Sequence, residues 1–294
     1  MKSNPVAYLF LIGLALTFLG HGAMRVMLRD GQPVDPAPMD QLLEEMPEER
    51  DTTSGATWDL PVTLNRSVER WIEFLAGPNR ERTALWLERQ GRYGPLIRGR
   101  LRERGMPEDL LYLALIESGL SPRAYSRAHA AGIWQFIAET GRRYGLEITS
   151  YVDERRDPVA STEAALDYLA ELYERFGSWY LAAAAYNTGE NRVERILRER
   201  AGGRRGDDEL YWEIARYLPK ETRDYVPLML AAGHIAKEPE KYGFRELSYQ
   251  EPLRYEVVRV PGGTSFEEVA EAAGVEREEI RDLNPHLIRG MTPP

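Results

Sequence analysis

Seven consecutive apolar or aromatic residues, Leu110 to Ile116, leave a helix no face for water, and the residue that follows them is Glu117. Such a run predicts a helix buried all round. Pro107 falls in its first turn, Glu108 and Asp109 stand beside it, and Gly119 lies just past its end. A carboxylate in that setting is costly unless it is paired or put to chemical use. In the last turn it also meets the negative end of the helix dipole. Burial and dipole both disfavour the anion, so the pattern predicts a raised pKa and a proton held near neutrality, the profile of a general acid. A structural ion pair with Arg142 or Arg143 is the competing reading.

The helical pattern extends from about Leu64 to Ala236. Val68, Trp71, Ile72 and Leu75 recur at helix spacing, and Leu85, Trp86 and Gln90 predict a second helix ending at Gly91. Asp157-Pro158 reads as an N-cap and first turn, with Leu166, Leu169, Tyr173 and Phe176 as the buried stripe and Gly177 as terminator. Ser178 then caps the apolar run Trp179 to Ala185, whose small residues allow close helix contact. After Pro252 the character shifts. Arg254 to Val260 alternates like a strand, Pro261-Gly262-Gly263-Thr264 is a turn, Ser265 opens a short helix, and Gly274 divides it from a second that ends near Asn284.

At the other end, Lys2 precedes the apolar stretch Val6 to Leu19 and then Gly20-His21-Gly22-Ala23. The stretch is shorter than the ~20 residues a spanning helix needs, and it suits the core of a secretory signal or a marginal anchor. Residues 24–57, with four prolines and the acidic run around Met46, read as an extended spacer. The divisions expected are therefore 1–23 signal or anchor, 24–57 linker, 58–250 helical domain and 251–294 C-terminal module.

Charge and composition narrow the chemistry. A formal net charge of -9 over 294 residues argues against a nucleic-acid partner. With no cysteine there is no disulfide, thiolate ligand or thiol nucleophile. His21, His129, His234 and His286 show no ligand spacing, so no metal site is expected, and His129 reads as a polar loop residue rather than a base.

From Glu117 the chain continues Ser-Gly-Leu-Ser-Pro-Arg-Ala-Tyr-Ser-Arg-Ala-His-Ala-Ala-Gly-Ile-Trp-Gln-Phe; later come Ala185-Tyr186-Asn187-Thr188-Gly189 and Glu221-Thr222-Arg223-Asp224-Tyr225-Val226-Pro227. These separated motifs, in this order, resemble the soluble-lytic-transglycosylase superfamily, and within it the membrane-bound lytic murein transglycosylase D group. The likeness spans roughly residues 58–290. It implies a mostly α fold, a lysozyme-like helical catalytic domain, followed by a small LysM-like α+β module. That module lacks its closing strand, as a degenerate copy or a truncated reading frame would. The implied activity is non-hydrolytic cleavage of the MurNAc–GlcNAc bond in peptidoglycan glycan strands, giving 1,6-anhydroMurNAc ends with a single glutamic acid and no cofactor.

Carried over residue by residue, the resemblance makes Glu117 catalytic and Ser126, Gln135, Tyr186, Asn187, Glu221 and Tyr225 substrate-binding, while Trp134 reads as core. Each has a bland counterpart: a serine capping a turn, a glutamine satisfied inside the fold, a buried tyrosine, a glutamate paired with Arg223. Were Glu221 or Asp153 to hold a water opposite Glu117, the enzyme would be a muramidase. A non-catalytic wall-binding protein is the reading from a different class. An exported monomer of the periplasm or envelope is expected, with the N-terminal segment either cleaved as a signal or kept as a membrane anchor. Relatives of this kind are often lipoproteins, and this sequence has no cysteine to lipidate.

Overall fold

The computed structural model describes residues 21–26 and 57–294; the expected signal stretch and most of the expected linker lie outside the described residues. The body is helical. Its first helix, α1 (Arg66–Ala76), starts where Asn65 Oδ1 accepts from the amides of Ser67 and Val68, and it buries Val68, Trp71, Phe74 and Leu75. Helix α2 (Arg80–Glu103) does not stop at Gly91 but runs through it. The glycine serves a crossing instead: a Cβ there would lie 2.3 Å from the Gln250 carbonyl oxygen. The crossing segment is tied down by Gln250 N donating to Glu88 O and Leu253 N to Arg92 O, both at 2.9 Å.

Helix α3 (Leu111–Ser118) follows a short 3-10 turn that begins after Pro107, and Gly119 closes it at φ +58°. Leu111 through Ile116 are all buried, as the unbroken apolar run requires. The carboxylates of Asp59 and Asp109 fasten its entry by accepting reciprocally from each other's backbone amides, and Lys237 Nζ stands 2.5 Å from Asp109 Oδ1. A long loop, 119–137, leads to α4 (Ala138–Arg143).

Helix α5 (Pro158–Phe176) is capped by Asp157 Oδ1, which accepts from Val159 N and Ala160 N at 2.8 and 3.1 Å, and ends at Gly177 with φ +64°. Leu166, Leu169 and Phe176 are buried as expected, but the stripe's remaining place belongs to Leu172. Tyr173 points outward and stacks on Trp179 with ring centroids 4.0 Å apart. Ser178 Oγ caps α6 (Trp179–Thr188), and α7 (Glu190–Arg200) and α8 (Glu209–Ile214) follow. Helix α9 (Lys220–Lys237) is the central post, buried along most of its length and packed on α1, α3 and α6. One apolar core runs through these helices from Leu60 to Phe244.

The C-terminal region contains a strand and two helices that follow it, α10 (Phe266–Ala273) and α11 (Arg277–Leu283). Helix α10 opens with a full capping box between Ser265 and Glu268. The strand (Glu256–Pro261) does have a partner, contrary to the expectation of an unclosed module. It pairs antiparallel, from His21↔Pro261 to Val26↔Glu256, with β1 (His21–Val26), so it is β2 of a two-stranded sheet among the described residues. The pairing segment straddles the expected boundary between signal and spacer. Met24 explains the attachment: it is fully buried with Phe266, Val269, Ala270, Ile280, Leu287 and Val152 in a second core. The Asn284 side chain then exchanges two 2.6 Å hydrogen bonds with the Arg25 backbone, Arg25 N donating to Oδ1 and Nδ2 to Arg25 O. Arg25 Nη2 lies 2.8 Å from Asp157 Oδ2, tying the strand to the cap of α5.

Candidate functional site

Glu117 occupies the last turn of α3, where its carboxyl comes through the apolar body onto the floor of a cleft of about 480 Å³. Neither Arg142 nor Arg143 reaches it. Arg142 donates to the Ile148 carbonyl, and Arg143 pairs with Glu171 and Glu190. The group that does meet the carboxyl is Tyr225 of α9, whose phenol donates to Oε1 at 2.6 Å. Burial pushes the Glu117 pKa up to about 8; the Tyr225 hydrogen bond opposes the shift and the negative charge of Glu221 adds to it. The expected elevation is present, and burial is its main cause. Burial also holds the Tyr225 pKa far above its ordinary value, which keeps the phenol a donor.

Six of the seven residues expected in the site, all but Tyr225, line this cleft: Glu117, Ser126, Gln135, Tyr186, Asn187 and Glu221. Tyr225 lies beneath it, fully buried, and enters through its bond to Glu117. Ser126 Oγ accepts from Ala130 N at 3.0 Å, so the serine lines the cleft and also caps its own turn. Gln135 adopts φ +48°, a conformation side chains other than glycine rarely take. Its Nε2 donates to Gly132 O at 2.8 Å, while its Oε1 is buried with no hydrogen-bond partner among the described residues. Tyr186 donates to Trp134 O at 2.7 Å. Trp134 itself is core, fully buried with Nε1 on Thr162 Oγ1 at 3.0 Å.

Asn187 is held from both ends: Thr222 Oγ1 donates to its Oδ1 at 2.7 Å, and its Nδ2 donates to Glu221 Oε1 at 2.9 Å. Glu221 is therefore bonded to a cleft amide. Asp153 is no candidate for holding a water opposite Glu117. Both its oxygens are engaged by Arg155 at 2.8 Å, and it faces another cavity.

The far wall escaped the sequence reading. Tyr168 lines the cleft beside Tyr186, with ring centroids 5.2 Å apart, and Tyr144 continues the aromatic row at 4.9 Å. Arg143 and Glu190 close that end as an ion pair at 3.1 Å. On α5 the Tyr168 position falls on the buried face, so spacing alone marks it as core. Among the described residues there is no cluster of His, Cys, Asp and Glu able to hold a metal ion.

Residues 95–207, the stretch that carries Glu117, Ser126, Gln135, Tyr186 and Asn187, match the Transglycosylase SLT domain. Residues 254–294 match a second family, described as the LysM-like domain of lytic transglycosylase MltD. Over 197 residues the chain is 40% identical to membrane-bound lytic murein transglycosylase D of Escherichia coli K12. The chain belongs to the lytic murein transglycosylase family. The aligned part is 67% of this chain but 42% of that relative, so the chain corresponds to less than half of its length. A second member of this set, the peptidoglycan transglycosylase gp16 of Escherichia phage T7, is 36% identical over 63% of this chain and 14% of its own. Among solved structures, the 70 kDa soluble lytic transglycosylase of E. coli aligns with a TM-score of 0.39 at 22% identity, covering 53% of this chain and 26% of that one. The SLT match ends before Glu221 and Tyr225, although both act on the same cleft from α9.

Proposed function

We propose that this protein is a peptidoglycan lytic transglycosylase in which Glu117 serves first as acid and then as base. Protonated Glu117 gives its proton to the oxygen linking MurNAc to GlcNAc as the bond from the anomeric carbon to that oxygen breaks. The resulting carboxylate takes the proton from the MurNAc 6-hydroxyl, whose oxygen bonds to the anomeric carbon. The products are a GlcNAc 4-hydroxyl and a 1,6-anhydroMurNAc end, no water is consumed, and Glu117 is again protonated. The observation that carries this reading is a carboxyl with a pKa pushed up to about 8 at the floor of a cleft, bonded by one phenol. Such an acid is loaded at neutral pH and can be recharged by its own substrate.

The other cleft residues have chemistry suited to an N-acetylated sugar. Gln135 brings a two-ended amide to the cleft lining, chemistry suited to an acetamido group or a hydroxyl. Tyr186, backed by the Tyr168 ring, gives the cleft an aromatic surface against which a pyranose can lie. Ser126 and Asn187 add hydroxyl and amide groups to the same wall. The LysM-like tail supplies a second glycan contact, and the membrane-bound E. coli relative supports a cell-envelope location. Of the described residues, no helix is long and apolar enough to cross a membrane.

A hydrolytic outcome is the second reading, favoured by Glu221 as a further carboxylate in the cleft. Mass spectrometry of fragments released from isolated peptidoglycan separates the two. Products one water lighter than hydrolysis products support the transglycosylase, and reducing MurNAc ends would assign Glu221 a water. If neither wild type nor Glu117→Gln releases anything while both bind wall, the protein is a glycan-binding module.

A further inference from the structure

On the other side of the loop that carries Ser126, a second cavity of about 480 Å³ opens between the helical body and the C-terminal region. Arg123 and Arg156 line it from the body, and Arg277, Arg281 and Arg289 line it from the tail. Asp153 is the carboxylate of the lining, and Arg155 already occupies both its oxygens, leaving Arg156 Nε 3.7 Å away. Behind the lining, Asp282 is 2.5 Å from Arg123 Nη2 and 3.6 Å from Arg281 Nε, and Arg277 meets Glu267 and Glu278. Even so, the Nε atoms of Arg156 and Arg281 are buried with no hydrogen-bond partner among the described residues. Arg289 is aimed by a 2.7 Å bond to Ser150 O and lies over the Tyr151 ring.

Five guanidinium groups around one hollow are notable in a chain of net charge -9. Crowding like charges in a concave, partly dry site raises a positive potential there, which an anion relieves. Planar guanidinium forks match carboxylates in particular, two oxygens at a time. MurNAc in peptidoglycan bears a short peptide with several free carboxylates, spaced along a flexible chain. Arg123 and Ser126 lie three residues apart on the same loop, one lining each cavity, so this loop joins the Glu117 cleft to the arginines.

We propose that this interdomain arginine cavity binds the carboxylates of a peptidoglycan peptide stem, so that the tail reads the peptide while the helical body cuts the glycan. The assignment rests on the function proposed above. Its test is independent of turnover: full-length Glu117→Gln is titrated with the free stem tetrapeptide, and separately with inorganic phosphate, by calorimetry. The tetrapeptide is expected to bind, phosphate to bind far more weakly, and Arg156→Gln/Arg281→Gln added to Glu117→Gln to weaken the peptide by roughly tenfold or more. No peptide binding, binding that the added substitutions leave intact, or equal affinity for phosphate overturns the proposal. Should that variant melt early, Arg277→Gln, at a more exposed position, is judged by the same criterion. Failure of wild type to release anhydro products would sink the proposed function, whatever the titration shows.

Discussion

Replacing Glu117 by Gln should stabilise the protein at neutral pH, because the wild-type residue is held where its charge is unwelcome. The folded-state pKa is about 8 against an ordinary 4.5. Below 4.5 both folded and unfolded chains are protonated and the residue costs nothing. As pH rises above that value, the unfolded chain ionises first, so the folded state loses stability until its own pKa is passed. The sign is therefore a penalty that grows with pH between 4.5 and 8. Each pH unit separating the folded and unfolded pKa values is worth ~1.4 kcal/mol, so the penalty amounts to about 1 kcal/mol at pH 5, about 3 at pH 7 and about 5 above pH 9.

Gln keeps the shape and an acceptor for the Tyr225 phenol but carries no charge, so it removes the penalty. Thermal melts of wild type and Glu117→Gln at pH 5 and pH 7 measure it. The variant should gain little at pH 5 and roughly 5–10 °C at pH 7. Equal melting temperatures at both pH values, or a gain independent of pH, would refute a desolvated, proton-holding Glu117. Cleavage should meanwhile be abolished, so the substitution exchanges function for stability.

Three further outcomes are expected. Tyr225→Phe removes the hydrogen bond that lowers the Glu117 pKa, so the alkaline limb of kcat/KM, placed near pH 8 in wild type, should move upward while the rate falls by roughly tenfold or more. An unmoved limb would mean that the phenol does not tune the acid. Gly119→Ala should destabilise by more than about 3 kcal/mol in urea unfolding, because φ +58° is strained for alanine and the new Cβ would stand 2.1 Å from buried Trp86. Met24→Ala should cost about 2–5 kcal/mol within the C-terminal module and speed hydrogen exchange in Glu256–Pro261. Unchanged exchange there would argue that β1 does not close the sheet.

What the sequence made legible was local. The unbroken apolar run announced a buried α3, and the cap residues Asp157 and Ser178 marked where α5 and α6 begin. Glu117 was conspicuous because a charge breaks an apolar pattern. Features that depend on what crosses a helix were hidden. Gly91 looks like a terminator until the chain at Gln250 lies across it, and Tyr173 and Leu172 are separated by a packing choice between two adjacent apolar positions. Tyr168 sits among core residues in spacing yet has an edge in the cleft. Least legible was β1, since six residues near the start of the chain show no sign of a partner strand more than two hundred positions away.

The loop between α3 and α4 shows how Glu117 is held beside groups distant from it in sequence. Leu120, His129 and Gln135 all hold positive φ, which costs about 1–3 kcal/mol each and persists only where surroundings over-determine the backbone. The constraints are present: Ser118 Oγ donates to Ile133 O at 2.8 Å, Tyr186 donates to Trp134 O, and Arg155 donates to the carbonyls of His129 and Phe136. Gly132 is pressed so close to Arg155 that a Cβ would meet its carbonyl oxygen at 1.7 Å. A loop fastened at that many points cannot rearrange to solvate Glu117, and it keeps Ser126 and Gln135 at fixed places beside it. The strain in the loop and the raised pKa of the acid are thus one design, in which the fold spends stability to keep a proton, and the groups around it, where a sugar would need them.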